Sequence, residues 1–473
     1  MKQKIWTSSL ILCLILSHLV TFGTLKQSNF ALLATFVVTL LLWITVDIAW
    51  PSLLCLLSLA LIPELGMKKI LALSLGNETL AFLLFTFMCT YALAKTSFVR
   101  RTAIFFVTSS WAKKGPWRMS ILFFLAVLST GLFIAPTVLF FIFYPILQEI
   151  YTLIGLKKGD SFASMLLMGV IICVNLSAGM TPIAHVFPVL ATSAYATLTG
   201  TTIDYGKYML FGIPTGIVLF IGMLVIFRFI WRPQTPTFLG LNKTDFTVIK
   251  KPRQVENAIV SIFALVVFLW VAPSLLGGIW PFFNTSLAKL GTAFPPLLGL
   301  ILLALIKFEN KALLDLNEAF VKGVSWPSVI MCSATLALGS CLTDPNLGFI
   351  APLTATLKPV LASVGVAGML LLFIMWATIE SNISSHIVTS QVVASVAVPL
   401  ALSGGANALA LTSVIGLGAS IGCATPPSMP FVAVACSSGW LTTKTTLKAG
   451  IGFSCVAIII LYTIGYPLAN LIM

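Results

Sequence analysis

Charge is the scarcest ingredient of this chain. Asp, Glu, Lys and Arg make up 8% of its 473 residues, while apolar residues make up 59% and mean hydropathy is +1.07. A soluble domain carries about 25% charge, so a soluble fold is excluded. At ~20 residues per span the length fits a dozen or so membrane helices. Acidic residues are the rarer sign, 13 against 27 basic. The basic excess sits in short loops between apolar runs, where it reports topology. Membrane lipid is therefore an expected partner and nucleic acid is not. Nine cysteines show no CxxC or histidine-paired spacing and lie mostly inside apolar runs, as small buried hydrophobes do. No HExxH, P-loop or dinucleotide fingerprint occurs. Gly418-Ala419-Ser420-Ile421-Gly422 matches GxSxG, but inside a span the strand–turn–helix of a nucleophile elbow cannot form. Neither an enzyme nor an organic cofactor is expected.

Apolar runs fall near 5–23, 29–48, 50–63, 77–95, 119–147, 161–198, 207–231, 257–276, 289–306, 325–341, 365–400, 407–436 and 445–471. The first imitates a signal peptide but has no clear cleavage site and reads as a retained transmembrane helix. Runs 119–147 and 365–400 are too long for one span and are interrupted by polar residues or proline. Each reads as a re-entrant hairpin whose tip is buried in protein or lines a watery cavity. Runs 161–198 and 407–436 break at Ser177-Ala178-Gly179-Met180-Thr181-Pro182 and at Gly422-Cys423-Ala424-Thr425-Pro426-Pro427, where small residues and proline unwind a helix. The chain thus carries a hairpin followed by a broken helix twice. The tips near 136 and 382 lie 246 residues apart, and the Thr-Pro breaks at 181 and 425 lie 244 apart. Interrupted segments at matching places in two halves point to a transporter's binding site.

The charges orient this layout. With a cytoplasmic N-terminus, 21 of 27 Lys and Arg fall inside, and Lys26, Lys68, Lys69, Lys207, Lys289 and Lys358 fall outside. The expectation is an all-α polytopic membrane protein of about 11 spans plus two re-entrant hairpins, in two inverted-topology repeats. The C-terminus then lies outside, and the location is a cell inner or plasma membrane. The first repeat covers 1–231: helices 1–95, an amphipathic helix 96–116 on the cytoplasmic face, hairpin 119–147, broken helix 161–198 and helix 207–231. A cytoplasmic linker, 232–256, leads to the second repeat, 257–473, with hairpin 365–400, broken helix 407–436 and final helix 445–471. The counterpart of the amphipathic helix is expected near 344–360, on the outer face.

A helix that starts inside the membrane leaves free N–H groups and about half a positive charge at its N-terminus. Two such starts and two tips make a midplane cavity suited to a small anion. The polar residues there are Thr137, Asn175, Ser177, Thr181, Ser381, Asn382, Ser384, Ser385, Thr389, Ser420 and Thr425, and such donors hold an anion without buried lysine. A lone Ser or Thr in a span more often bonds its own helix; residues on both matched breaks favour the site. Glu380 is the one acid deep within an apolar run. It is either a proton carrier or a cap on the hairpin's second helix. His185 and His386 follow the breaks and are either titrating groups or neutral, hydrogen-bonded ones.

Glu380-Ser381-Asn382-Ile383-Ser384-Ser385 resembles the second Ser-Asn-Thr hairpin motif of the divalent anion/sodium symporters, which carry dicarboxylates, citrate and sulfate. Ala424-Thr425-Pro426-Pro427-Ser428, followed by Ser438-Gly439-Trp440-Leu441, is similar to that family's C-terminal Thr-Pro-Pro-Asn stretch, and Gly179-Met180-Thr181-Pro182-Ile183 stands where its first unwound segment would be. The resemblance implies an elevator-type secondary transporter, usually a homodimer, with a scaffold and a mobile transport domain. It implies a di- or tricarboxylate substrate, with sulfate or a cation/proton antiport as alternatives. Substrate contacts carry over to Thr137, Thr181, Ser381, Asn382, Ser384, Thr425 and Pro426. Coupling falls to Glu380, and a Na+ or H+ coupling ion to positions around Asn382, Ser177 and Cys423. The chain also departs from the pattern. Anchored on Pro145, Ala135-Pro136-Thr137 stands in place of the first Ser-Asn-Thr, and proline supplies no side-chain ligand to a hard cation. Ile383 replaces the second threonine.

Overall fold

The structure is a computed structural model that describes the chain apart from residues 1, 21–25, 48, 184, 202–203, 239, 247–252, 277–287, 343, 345–346 and 348–349. Among the described residues the only sheet is a two-residue hairpin, Lys307–Phe308 against Lys311–Ala312, turned by Glu309 and Asn310 at positive φ. All other regular structure is helical. Among the described residues six helices are long and apolar enough to cross a bilayer alone, or eight if each of two bent pairs counts as one span. The expected eleven or so crossings exceed this because several apolar runs are cut short. Ala49–Ala60, Phe294–Leu305 and Ala408–Ala419 have 12 residues each, about 18 Å of helix against a ~30 Å hydrocarbon core.

Both hairpins form. In the first, Pro116–Gly131 and Pro136–Leu153 meet at a tip of residues 132–135. Pro116 and Pro136 open their helices, at the position where a missing N–H costs nothing. In the second, a long helix kinks at Gly365, whose φ of 69° lies in the left-handed region open to glycine. The kink leaves Gly365–Glu380 as the first arm, 381–385 as the tip and His386–Gly404 as the second arm.

Both broken helices form as well. Ser161–Met180 gives way to Val186–Thr199, and Ala408–Ala419 to a short turn, Pro426–Ser428, and then to Pro430–Ser437. The two break threonines have almost the same backbone, φ −138° and ψ 151° at Thr181, φ −130° and ψ 150° at Thr425. Each precedes a proline, whose Cδ drives the preceding residue out of the helical region. That steric rule ends the first helix at Met180, next to its Thr-Pro; the second ends earlier, at Ala419, and an extended stretch leads to Thr425. Each half closes with a long helix, Tyr205–Trp231 and Thr443–Ile472, each containing a π-helical turn.

The halves exchange contacts. Val186–Thr199 packs along the second hairpin's arm His386–Gly404 and along Ala408–Ala419, while Pro430–Ser437 packs on the first hairpin's arm Pro136–Leu153. A ring contact marks each crossing: Phe187 lies edge-on to His386 at 5.4 Å, and Phe431 stacks on Phe140 at 5.2 Å. Outside this unit, Trp326–Leu342 packs along Ala49–Ala60, and Glu78–Ala94 along Phe294–Leu305.

The amphipathic helix is shorter than expected and tied at both sides. Phe98–Val107 buries Val99, Ala103 and Val107 and exposes Arg101 and Phe105. Arg100 pairs with Glu149 at the end of the first hairpin at 2.8 Å, and Arg101 with Glu256 on Arg253–Leu276 at 2.7 Å. Glu256 also accepts from the Ser97 amide and hydroxyl, so its carboxylate satisfies the start of Phe98–Val107. At the other expected position a helix runs from Ile350, and Asp344 before it pairs with Lys69 at 2.7 Å; the side chains of 350–364 lie outside the described residues.

Candidate functional site

One asparagine ties the second hairpin tip to the second break. Asn382 Oδ1 accepts from the backbone N–H of Cys423 at 2.9 Å and of Ala424 at 2.8 Å. Its Nδ2 donates to the Thr378 carbonyl at 2.7 Å and to Ser454 Oγ at 3.0 Å. An amide oxygen has two lone pairs, and both are engaged here. Thr425 Oγ1 donates back to the Asn382 carbonyl. Tip and break approach so closely that a Cβ on Gly422 would stand 2.0 Å from the Ser381 carbonyl oxygen; only glycine fits. The Gly422 carbonyl accepts from Asn175 Nδ2 at 2.7 Å and from His386 Nε2 at 2.8 Å. Asn175 belongs to the first broken helix, so both halves meet at this carbonyl.

Around this knot buried polar atoms lack partners. Of ten such side-chain atoms among the described residues, seven belong to Asn175, Thr378, Glu380 (both oxygens), His386, Thr389 and Gln391. All but Asn175 lie on the second hairpin. Buried polar groups are ordinarily bonded, so this concentration marks a place built for something polar. Ser384 and Ser381 are buried there, Thr425 and Pro426 are partly exposed, and Ile383 turns outward, 67% exposed. Glu380 ends the first arm. Its backbone carbonyl, not its carboxylate, accepts from Ile383 and Ser384, and Trp376 stands one turn back. Ser385 occupies the N-cap position of the second arm without a side-chain cap hydrogen bond, and no amide of that arm donates to the Glu380 carboxylate among the described residues.

The first half repeats the latch with different residues. Thr181 Oγ1 donates to the Leu132 carbonyl at 2.7 Å, as Thr425 does to Asn382. The tip itself, Leu132-Phe133-Ile134-Ala135, has no polar side chain, and Phe133 lies edge-on to Phe263 of Arg253–Leu276 at 5.8 Å. Pro136 opens the second arm, as His386 does in the other half. The helix starts thus correspond at a separation of 250 residues, one turn away from the 246 that Pro145 suggests. The register differs because a proline is favoured at a helix start, which fixes the arm at Pro136. Thr137 follows in the first turn, partly buried.

The remaining sequence candidates are in place but already bonded. Ser177 Oγ donates to the Val174 carbonyl at 2.9 Å, and Ser381 Oγ to the Thr378 carbonyl at 2.9 Å. Cys423 is a buried free thiol whose backbone N–H holds Asn382. Sequence reasoning passed over Thr378, Gln391 and Ser454. For Thr378 and Gln391 the available signal was a polar side chain within an apolar arm one or two turns from the tip; Ser454 lies on the closing helix Thr443–Ile460 and offered none. A separate cavity of about 460 Å³ lies between the far end of Val186–Thr199 and the helices at Glu78, Trp270 and Pro295. None of the tip or break residues lines it, and it holds none of the seven orphaned atoms.

The family model described as citrate transporter matches residues 38–416. The sodium-dependent dicarboxylate transporter SdcS of Staphylococcus saprophyticus is 22% identical over 98% of this chain and 92% of its own length. The match spans both hairpins, the first broken helix and most of the first half of the second, as the resemblance in the sequence implied. The chain is a multi-pass membrane transporter of the citrate transporter family, within the divalent anion/sodium symporters, and not an enzyme.

Proposed function

We propose that this chain is a secondary active transporter of small di- or tricarboxylates. The second hairpin tip and the second break form the main wall of its substrate site. The observation that carries this is the cluster of unpartnered buried polar atoms on the second hairpin and Asn175, pinned against unwound backbone by Asn382. Ser384 is buried at the tip and the Thr378 and Thr389 hydroxyls have no partner among the described residues; a carboxylate is bound by such donors without a buried lysine, while the unpartnered oxygens of Asn175, Glu380 and Gln391 are acceptors that suit a coupling cation. The family and the sodium-dependent dicarboxylate relative support the substrate class and point to sodium as a coupling ion.

The same reading gives the architecture. Residues 116–231 and 365–472 form a mobile transport unit, and the other helices form a scaffold that dimerises with a second copy. The halves are inverted repeats, with the N-terminus cytoplasmic and the C-terminus outside. The first tip lacks any side-chain oxygen, so sodium dependence is weaker than in relatives with two polar tips. Glu380, partly buried beside Trp376 and without a salt bridge, carries a proton with the substrate. Uptake of a labelled panel (succinate, citrate, acetate, sulfate) into proteoliposomes tests this, with sodium and pH gradients imposed separately. Saturable uptake of a di- or tricarboxylate driven by either gradient is expected. Sulfate uptake alone, or none above empty liposomes, overturns it.

A further inference from the structure

The cavity of about 460 Å³ that lies apart from the tips has a volume within the roughly 300–1,000 Å³ span of small-ligand pockets. Its inner wall is aromatic. Tyr205 and Trp270 line it and are 5% and 7% exposed. Phe82 stands against both rings, with centroids 4.8 Å and 5.4 Å away. Trp270 Nε1 is committed to the Thr292 carbonyl at 3.0 Å. The Tyr205 hydroxyl makes no hydrogen bond among the described residues, although a buried phenol ordinarily finds a partner. Two carboxylates complete the lining, and no Lys, Arg or His is among the described residues that form it. Glu78 Oε1 holds the Thr292 hydroxyl at 2.9 Å and the Ala293 amide at 3.3 Å, while Oε2 makes no hydrogen bond among the described residues. Asp204 Oδ1 caps its own helix, accepting from Gly206 at 2.9 Å and Lys207 at 3.1 Å. In a chain of 13 acidic and 27 basic residues, two acids and no base at one cavity repel a dicarboxylate and attract a cation.

We propose that this cavity binds an organic ammonium with an apolar body, of the arylalkylamine class, and that the bound amine slows transport from a site separate from the substrate's. The ammonium donates to Glu78 Oε2 and to the Tyr205 hydroxyl oxygen. The apolar body lies along the wall of Tyr205 and Trp270, where aromatic rings favour a nearby cation. The cavity is also a joint. Ser193, Thr197 and Tyr205 belong to the unit proposed to move, and Glu78, Trp270, Thr292 and Leu336 to the proposed scaffold. A ligand that touches both binds best to the arrangement described and shifts the population toward it. The slowing of transport rests on the transport reading above; the binding of the amine does not.

The test uses the full chain in lipid nanodiscs with tryptamine as the probe and tryptophol, which replaces the ammonium by a hydroxyl, as its neutral counterpart. Calorimetry at pH 7 should show tryptamine binding at least tenfold tighter than tryptophol; equal binding, or none of either, overturns the site. Glu78→Gln keeps an acceptor for Thr292 but loses the charge, and should weaken tryptamine at least fivefold with the melting temperature unchanged. Tyr205→Phe removes only the hydroxyl and should weaken it at least threefold, which decides the matter if Glu78→Gln does not fold. Wild-type affinity in the folded variants overturns the assignment. In proteoliposomes, external tryptamine should lower the maximal rate of labelled dicarboxylate uptake and leave KM unchanged. A raised KM with an unchanged maximal rate would place the amine in the substrate site and overturn the separate one. Tryptamine binding that depends on Glu78 in a protein that takes up no carboxylate would defeat the transport reading and leave the amine site standing.

Discussion

Replacing Asn382 with alanine removes the pin between the second tip and the second break. Its amide oxygen accepts the N–H groups of Cys423 and Ala424, and no other acceptor for either is present in the hydrogen-bond pattern around them. A buried donor left without a partner costs about 1–3 kcal/mol. Two orphaned amides therefore cost about 2 kcal/mol at the low end and about 6 at the high end. At 1.4 kcal/mol per factor of ten, the low end already lowers the closed-to-open ratio of the tip roughly thirtyfold. The rest of the unit is held by packing between the hairpin arms and broken helices, so the variant stays folded and membrane-inserted. The assay pairs uptake in proteoliposomes with thermal unfolding in detergent. Asn382→Ala should lose transport and melt earlier. Asn382→Asp keeps an acceptor for both amides and should regain stability, but its charge repels a carboxylate and transport stays lost. Uptake near the wild-type rate by Asn382→Ala would refute the reasoning, because the pin would then be dispensable.

Three further outcomes are expected. Gly422→Ala places a Cβ 2.0 Å from the Ser381 carbonyl oxygen; it should push the tip off the break and abolish substrate binding by calorimetry, while unchanged affinity would mean the approach is looser than described. Glu380→Gln mimics the protonated acid, so it should lose the response to a pH gradient yet keep substrate counterflow; an intact pH response in this variant removes Glu380 as the carrier. Single cysteines at positions 157 and 404, on a background without native cysteines, should react with impermeant maleimide from opposite sides, and reaction from one side contradicts the inverted repeats.

Much of this molecule was legible because steric rules act locally. Thr181-Pro182 and Thr425-Pro426 announce the breaks through the restriction that proline imposes on its predecessor, and both threonines adopt the extended backbone it demands. The hairpins were legible from run length and polar interruption. The tip register was not. Pro145 and Gln391 are both interior to their arms, whereas Pro136 sets the start of its arm directly. The partners of Asn382 were hidden for another reason: Cys423 and Ala424 contribute only backbone N–H groups, and a backbone donor leaves no trace in a sequence. The same holds for His185, whose partners are carbonyls of Thr181 and Ile134. The ties of Arg100 to Glu149 and Arg101 to Glu256 span 49 and 155 residues, beyond the reach of helical periodicity.

The most direct test of the carboxylate site is protection of its most exposed residue. Ile383 is 67% exposed between Asn382 and Ser384 at the second tip. On a background without native cysteines, Ile383→Cys should react with an impermeant maleimide added outside. Saturating dicarboxylate should slow that reaction at least tenfold, and acetate should not. An unchanged labelling rate in protein that still transports the dicarboxylate would place the site elsewhere and contradict the account.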